Sequence, residues 1–207
     1  MITLYGAGES RSFRALWALE EAGLEYSYAS VQFGSDAGPT GTNSNEYRSL
    51  NFQGKVPTLL DGELILTESG AILNYLASKN PAAGLLPDSS PQQRARYDEL
   101  CLFVLTDLEQ PLWSNGKHRF ALPAEQRIES MLPLSHWEFA KSLRALGRHM
   151  ENCEYAVADR FTCADILIAQ TLRWGERFGF ELPPEFAAYK DRQYARPACQ
   201  RALAIVN

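Results

Sequence analysis

The sequence predicts a mixed α/β domain followed by an all-α helical bundle domain. Three observations carry the prediction: strand, helix and strand signals follow one another up to Val31, two apolar runs flank Asp61-Gly62, and beyond Pro91 apolar residues recur only at helical spacing. With 207 residues the chain can divide into two small domains, each burying a core without metal or disulfide staples.

Residues 2–5 read as a short strand. Gly6, Gly8 and Ser10 mark a turn into a helix whose Phe13, Leu16 and Trp17 share one face, and Gly23 supplies its C-terminal stop. A second strand fits Glu25 to Val31, and the stretch from Phe33 to Asn45, rich in Gly, Ser, Thr and Asn, reads as a loop. Val56 to Leu60 and Glu63 to Leu66 form a hairpin around Asp61-Gly62, a pair suited to a type I′ turn, in which both central residues take positive φ. Ala71, Ile72, Tyr75 and Leu76 define a helix ending near Lys79, where Asn80-Pro81 breaks the pattern. The first domain, residues 1–79, is therefore βαβ then ββα, and residues 80–90, including the Pro-, Ser- and Asp-containing stretch from Pro87, read as a linker.

In the second domain, residues 91–207, Tyr97, Leu100, Cys101, Val104, Leu105 and Leu108 form an unbroken helical stripe. Phe139, Ala140, Leu143, Leu146 and Met150 repeat the theme, whereas Pro123 and Pro133 leave residues 115–136 without a readable pattern. Thr162-Cys163-Ala164-Asp165 has the spacing of a capping box, in which hydroxyl and carboxylate each accept from a free amide, with Phe161 and Ile166 at staple positions. It starts a helix running to Arg177 whose Leu167, Ile168 and Leu172 suit the centre of a bundle.

Composition narrows the function. Hydrophobic residues make up 45% and charged residues 22%, an ordinary globular balance. A formal charge of −5 offers no basic stripe to track phosphates, so nucleic acid is not an expected partner. Cys101, Cys153, Cys163 and Cys199 lie far apart with no zinc-type spacing, so reduced thiols and no metal are expected. The opening Met1-Ile2-Thr3-Leu4-Tyr5 has strand character rather than a basic, apolar leader, and no apolar run reaches the ~18 residues that a membrane span needs. No membrane association and a cytoplasmic location follow as expectations.

Gly54-Lys55-Val56-Pro57-Thr58-Leu59, then Thr67-Glu68-Ser69-Gly70-Ala71-Ile72, then the capping box at Thr162, together with Ser10-Arg11-Ser12 opening the first helix, resemble the motifs of cytosolic glutathione transferases in the same order. The resemblance is to the bacterial-type, theta-like serine class and covers nearly the whole chain. It implies a thioredoxin-like first domain that holds glutathione as co-substrate, an acceptor pocket walled by the helical domain, and a homodimer. Phe103, Trp113 and Trp174 are candidate aromatic walls, although aromatics at helical spacing serve cores as well.

The resemblance also implies roles for single residues. Val56-Pro57 is expected to be a cis peptide, with Val56 offering backbone hydrogen bonds to the cysteinyl part of glutathione; a trans proline starting an edge strand is the alternative. Ser69 and Glu68, at a helix N-terminus where amides and dipole favour an anion, are assigned to the carboxylate and ammonium of the γ-glutamyl end. Lys55 is assigned to the glycyl carboxylate. Thiol activation falls to a hydroxyl between the first strand and first helix, and Tyr5, Ser10 and Ser12 all lie in that window. Ser10 ranks first, with Arg11 as cationic support, while counting back from Gly23 leaves Glu9 as a rival register. No cysteine occupies the window, which disfavours disulfide reduction. The expected activity is conjugation of glutathione to small hydrophobic electrophiles. A non-catalytic binding protein, or a glutathione-dependent isomerase, dehalogenase or peroxidase, would use the same scaffold.

Overall fold

The computed structural model describes residues 1–87, 90–151, 153–157 and 159–207. Asp88 and Ser89, within the expected linker, lie outside the described residues. The chain forms two compact units, one made of Met1–Leu86 with Tyr194–Asn207 and the other of Pro87–Gln193.

The first unit carries a four-stranded sheet of order β2-β1-β3-β4, where β1 is Ile2–Gly6, β2 Tyr26–Ser30, β3 Thr58–Asp61 and β4 Leu64–Thr67. β1 runs parallel to β2, as a helical crossover requires, and antiparallel to β3, which pairs antiparallel with β4. The crossover helix α1, Ser12–Ala22, is buried from Ser12 to Leu19 and ends on Gly23 in the left-handed conformation. Burying Leu4, Leu16, Trp17 and Leu59 completely contributes about 1.5–3 kcal/mol for each aliphatic side chain. The hairpin turn differs from the expected one. Asp61 pairs with Leu64, so the turn residues are Gly62 and Glu63, and only Gly62 has positive φ (62°), as a II′ turn needs and a I′ turn does not allow.

One short piece interrupts the stretch expected to be a loop, and a short helix follows it. A 3₁₀ turn spans Gly38–Thr40, and helix α2 spans Asn45–Leu50, capped by Ser44 accepting from Tyr47 N at 3.0 Å. Helix α3, Ser69–Lys79, follows β4 and packs on α1.

In the second unit α4 (Pro91–Phe103) and α5 (Glu109–Gly116) are joined by a π-helical turn at Val104–Leu108, and a second such turn follows at Lys117–Ala121. Pro111 explains the first. It has no N–H, and its ring clashes with the carbonyl four residues back, that of Asp107. The widened turn lets Glu109 N bond Val104 O, and the hydroxyl of Ser142 donates to Asp107 O at 3.0 Å. A 3₁₀ turn at Ala124–Gln126 leads to α6, Met131–His149, with Pro133 in its first turn, where no amide partner is lost. This order fills the unreadable stretch 115–136.

Helix α7, Cys163–Arg177, begins with the expected capping box, and its residues from Cys163 to Leu172 are all buried. Asp165 does more than cap. Its Oδ2 accepts from Thr162 N at 2.8 Å and its Oδ1 from Ala156 N at 2.8 Å and Tyr189 OH at 2.6 Å, tying the preceding loop and helix α8 (Pro184–Tyr194) to α7.

The last helix, α9 (Pro197–Val206), was expected within the helical domain but packs on α1 in the first unit. Tyr194 stacks on Phe13 with ring centroids 6.0 Å apart and meets Trp17 edge-on at 5.4 Å, while Arg196 pairs with Glu21 and Arg201 with Glu20.

Candidate functional site

The turn between β1 and α1 is built by its own hydroxyls. Ser10 N donates to Ala7 O at 3.2 Å, Phe13 N to Ser10 O at 3.0 Å, and Ser12 N to Ser10 Oγ at 3.3 Å, so Ser10 serves the first free amides of α1. Ser12 is fully buried. Its Oγ accepts from Ala7 N at 3.0 Å and lies 2.8 Å from Ser10 Oγ. A buried hydroxyl has one hydrogen to place. Directed from Ser12 to Ser10, it leaves the hydrogen of half-buried Ser10 available at the positive end of α1. Gly6 is required here, because a Cβ on it would sit 2.8 Å from Ser12 Oγ.

The other residues of the window are placed differently. Tyr5, half-buried, packs its ring edge-on against Tyr47 with centroids 5.8 Å apart. Glu9 is half-buried, and its charge helps, after burial and Glu21, to push the thiol of Cys199 on α9 up to about 12. Arg11 is half-buried at the start of α1.

Residues 54–58 form the second part. Val56-Pro57 is a cis peptide, as expected, immediately before the first β3 pair, Tyr5 with Thr58. The loop into it is held by side chains from α2 and from the residue that ends it: Tyr47 OH and Asn51 Nδ2 both donate to Lys55 O, at 2.6 and 2.9 Å, and both contact Thr58 Oγ1, at 3.0 and 3.1 Å. Burial raises the Tyr47 phenol above its ordinary pKa, which keeps it a donor. Lys55 itself is exposed, with Nζ on Gln53 Oε1 at 2.8 Å.

The third part is the start of α3. Glu68 has φ 67° and ψ 114°, a conformation that costs a non-glycine residue about 1–3 kcal/mol, and its side chain is exposed. Ser69 is buried and begins the helix. Its Oγ accepts from Nη1 of Arg14 at 3.2 Å, and Arg14, on α1, is fully buried.

The first unit thus carries every residue expected at the glutathione site, each at the start of a helix or beside the cis bond. Sequence reasoning missed Arg14, Tyr47, Asn51 and Thr58. A signal existed for two of them, since Tyr47 and Asn51 stand four apart and share a helix face. Arg14, set among Phe13, Ala15, Leu16 and Trp17, is a cation in an apolar run and was legible as an oddity.

The aromatic candidates of the helical unit are all half-buried. The Phe103 ring lies 5.2 Å from that of His149, and Trp174 meets Phe178 edge-on at 5.8 Å. Among the described residues no helix is long and apolar enough to cross a membrane.

Comparison with known proteins agrees across the chain. Residues 1–78 match the family description "Glutathione S-transferase, N-terminal domain" and residues 110–197 match "Glutathione S-transferase, C-terminal domain". Glutathione S-transferase GST-4.5 of Xanthomonas campestris is 31% identical over 166 residues, covering 77% of this chain and 79% of that protein. Disulfide-bond oxidoreductase YfcG of Escherichia coli is 29% identical over 212 residues, covering 98% and 94%. A sphingomonad glutathione S-transferase solved in complex with glutathione superposes with a TM-score of 0.84 at 26% identity, covering 99% and 98%. With a thioredoxin-like α/β unit, a helical unit and these matches, the chain belongs to the glutathione S-transferase family.

Proposed function

We propose that this protein conjugates the thiolate of glutathione to small hydrophobic electrophiles, with Ser10 as the thiol-activating hydroxyl. The observation that carries the reading is the Ser10–Ser12 hydroxyl pair, 2.8 Å apart at the start of α1. A free thiol of pKa about 8.5 is only a few per cent ionised at neutral pH. A hydroxyl hydrogen aimed at sulfur, with the helix dipole behind it, favours the anion, and a two-unit shift corresponds to about 2.7 kcal/mol. The thiol proton passes to solvent, the thiolate attacks the electrophilic carbon, a carbon–sulfur bond forms and the leaving group departs with its electron pair.

The remaining residues hold the tripeptide in this reading. The Val56 backbone at the cis bond takes the cysteinyl part, Ser69 and Glu68 the γ-glutamyl carboxylate and ammonium, and Lys55 the glycyl carboxylate, while Arg11 lends positive potential. A cytoplasmic homodimer is part of the proposal, supported by the exposed Leu64 and Ile65 on edge strand β4; sedimentation at micromolar concentration tests it.

Ultraviolet titration of the bound thiolate, alongside turnover of a simple aryl halide, tests the mechanism in wild type, Ser10→Ala and Ser12→Ala. Ser10→Ala should bind glutathione nearly as wild type, titrate toward the free thiol value and recover part of its rate at higher pH. Wild-type behaviour of Ser10→Ala would remove the hydroxyl mechanism. Near full-length similarity to a disulfide-bond oxidoreductase supports a second reading, thiol–disulfide exchange on bound glutathione, so the substrate panel includes a low-molecular-weight disulfide.

A further inference from the structure

We infer that Arg14 is a positioning residue for glutathione, acting through Ser69 to set the hydroxyl that receives the γ-glutamyl carboxylate. The inference rests on the binding mode proposed above and adds a residue to it.

An arginine with no exposed surface inside a small α/β unit is costly to bury unless its donors are used. One of them is spent on Ser69 Oγ, 3.2 Å away and itself buried. Guanidinium donates only, so in this contact Ser69 must be the acceptor. The Ser69 hydrogen is then turned away from Arg14 and toward other acceptors. At the first residue of α3 the surrounding free backbone groups are amide donors, not acceptors, so the acceptor this hydrogen suits is a ligand oxygen. The permanent charge behind Ser69 strengthens the contact, because a hydroxyl that accepts from a cation is the better donor.

Arg14 also joins two parts of the site. It lies in the first turns of α1, whose start is shaped by Ser10 and Ser12, and reaches the start of α3. The two helix N-termini that would face the sulfur and the γ-glutamyl end are therefore tied by one side chain. Lysine cannot replace it: a single ammonium lacks the planar fork that lets guanidinium serve one partner while holding others.

Calorimetric titration of the full-length protein tests this with two tripeptides, glutathione and 4-aminobutyryl-cysteinyl-glycine, which lacks only the carboxylate of the γ-glutamyl residue. The variants are Arg14→Lys, Ser69→Ala and their combination, with Arg14→Gln as the companion should Arg14→Lys melt below the titration temperature. Arg14→Lys should weaken glutathione roughly tenfold, leave affinity for the decarboxylated tripeptide at the wild-type value, and add little once Ser69 is alanine. Equal weakening of both tripeptides, additive losses in the double variant, or wild-type affinity in Arg14→Lys would each overturn the inference. If the wild-type protein binds neither tripeptide, the proposed function falls first and the inference with it.

Discussion

Arg196 holds Glu21 through two parallel hydrogen bonds, Nε to Oε1 at 2.6 Å and Nη2 to Oε2 at 2.9 Å, and Glu21 Oε1 also accepts from Trp17 Nε1 at 3.0 Å. A carboxylate near the end of α1 thereby fixes α9 against the helix that opens the candidate site. Because Glu21 is nearly buried, removing Arg196 leaves its charge without its cation. Arg196→Ala should destabilise the protein by about 1.5–3 kcal/mol, and Arg196→Ala with Glu21→Ala by less than the sum of the single changes. Denaturant midpoints of the three variants measure this.

The two members of the capping box should not be equivalent. Thr162→Ala removes a cap and should cost about 0.5–2 kcal/mol. Asp165→Ala also leaves Ala156 N and Tyr189 OH without their acceptor in a buried setting, so it should cost clearly more, at about 1–3 kcal/mol for each stranded donor before relaxation. Equal midpoint shifts would contradict the role assigned to Tyr189. Neither change should alter the pKa of bound thiol.

Stability should respond to acid through Asp61. Hydrogen bonds from Lys79, at 2.5 Å, and Tyr75, at 2.7 Å, hold its carboxyl below the usual aspartate value. A depressed carboxyl pKa stabilises the fold above the unfolded value of about 4, and the contribution fades as pH falls through the folded value. Lys79 is shifted up mainly by the same hydrogen bond, so its contribution persists below about pH 10 and fades above its folded pKa. Asp61→Asn should lower the melting temperature at pH 7 and match wild type near pH 2. Thermal melts across pH reveal whether the curves converge.

The four cysteines should separate by reactivity. Cys153 is exposed, whereas burial pushes Cys101 and Cys199 up to about 12, and Cys163 is buried as well. At pH 8 a thiol of pKa 12 carries roughly a thousandfold less thiolate than an ordinary one. An aromatic disulfide reagent should therefore label one thiol quickly in the folded protein and all four after unfolding. Cys153→Ser should abolish the fast phase.

The sequence was most readable where a local rule and a tertiary role coincide. The apolar runs with Leu59 and Leu60 on one side and Ile65 and Leu66 on the other side of a glycine turn announce the hairpin, although the turn lies one residue later because Gly62, not Asp61, takes the positive φ. Thr162 and Asp165 announce their box by spacing alone, but nothing local predicts that Tyr189, 24 residues further on, shares the carboxylate. Helix α2 is obscured by the surrounding Gly, Ser, Thr and Asn, since Ser44 reads equally as loop or cap. The place of α9 against α1 depends on Tyr194, Arg196 and Arg201 finding partners more than 170 positions away. The motif residues of the candidate site are visible from type and spacing, whereas Arg14 becomes meaningful only when burial shows what its charge touches.

The wide turn at Val104–Leu108 preserves the angular phase of everything after it. An α-helix turns 100° per residue, and the π turn absorbs one additional residue without passing that rotation on. Deleting a single residue there would leave the phase of Leu112, now fully buried, unchanged, but would close the turn to regular α geometry and drive the Pro111 ring into the carbonyl four residues back. Length in this segment is therefore more constrained than composition: conservative substitutions at exposed Thr106 are expected to be absorbed, and a one-residue deletion is not.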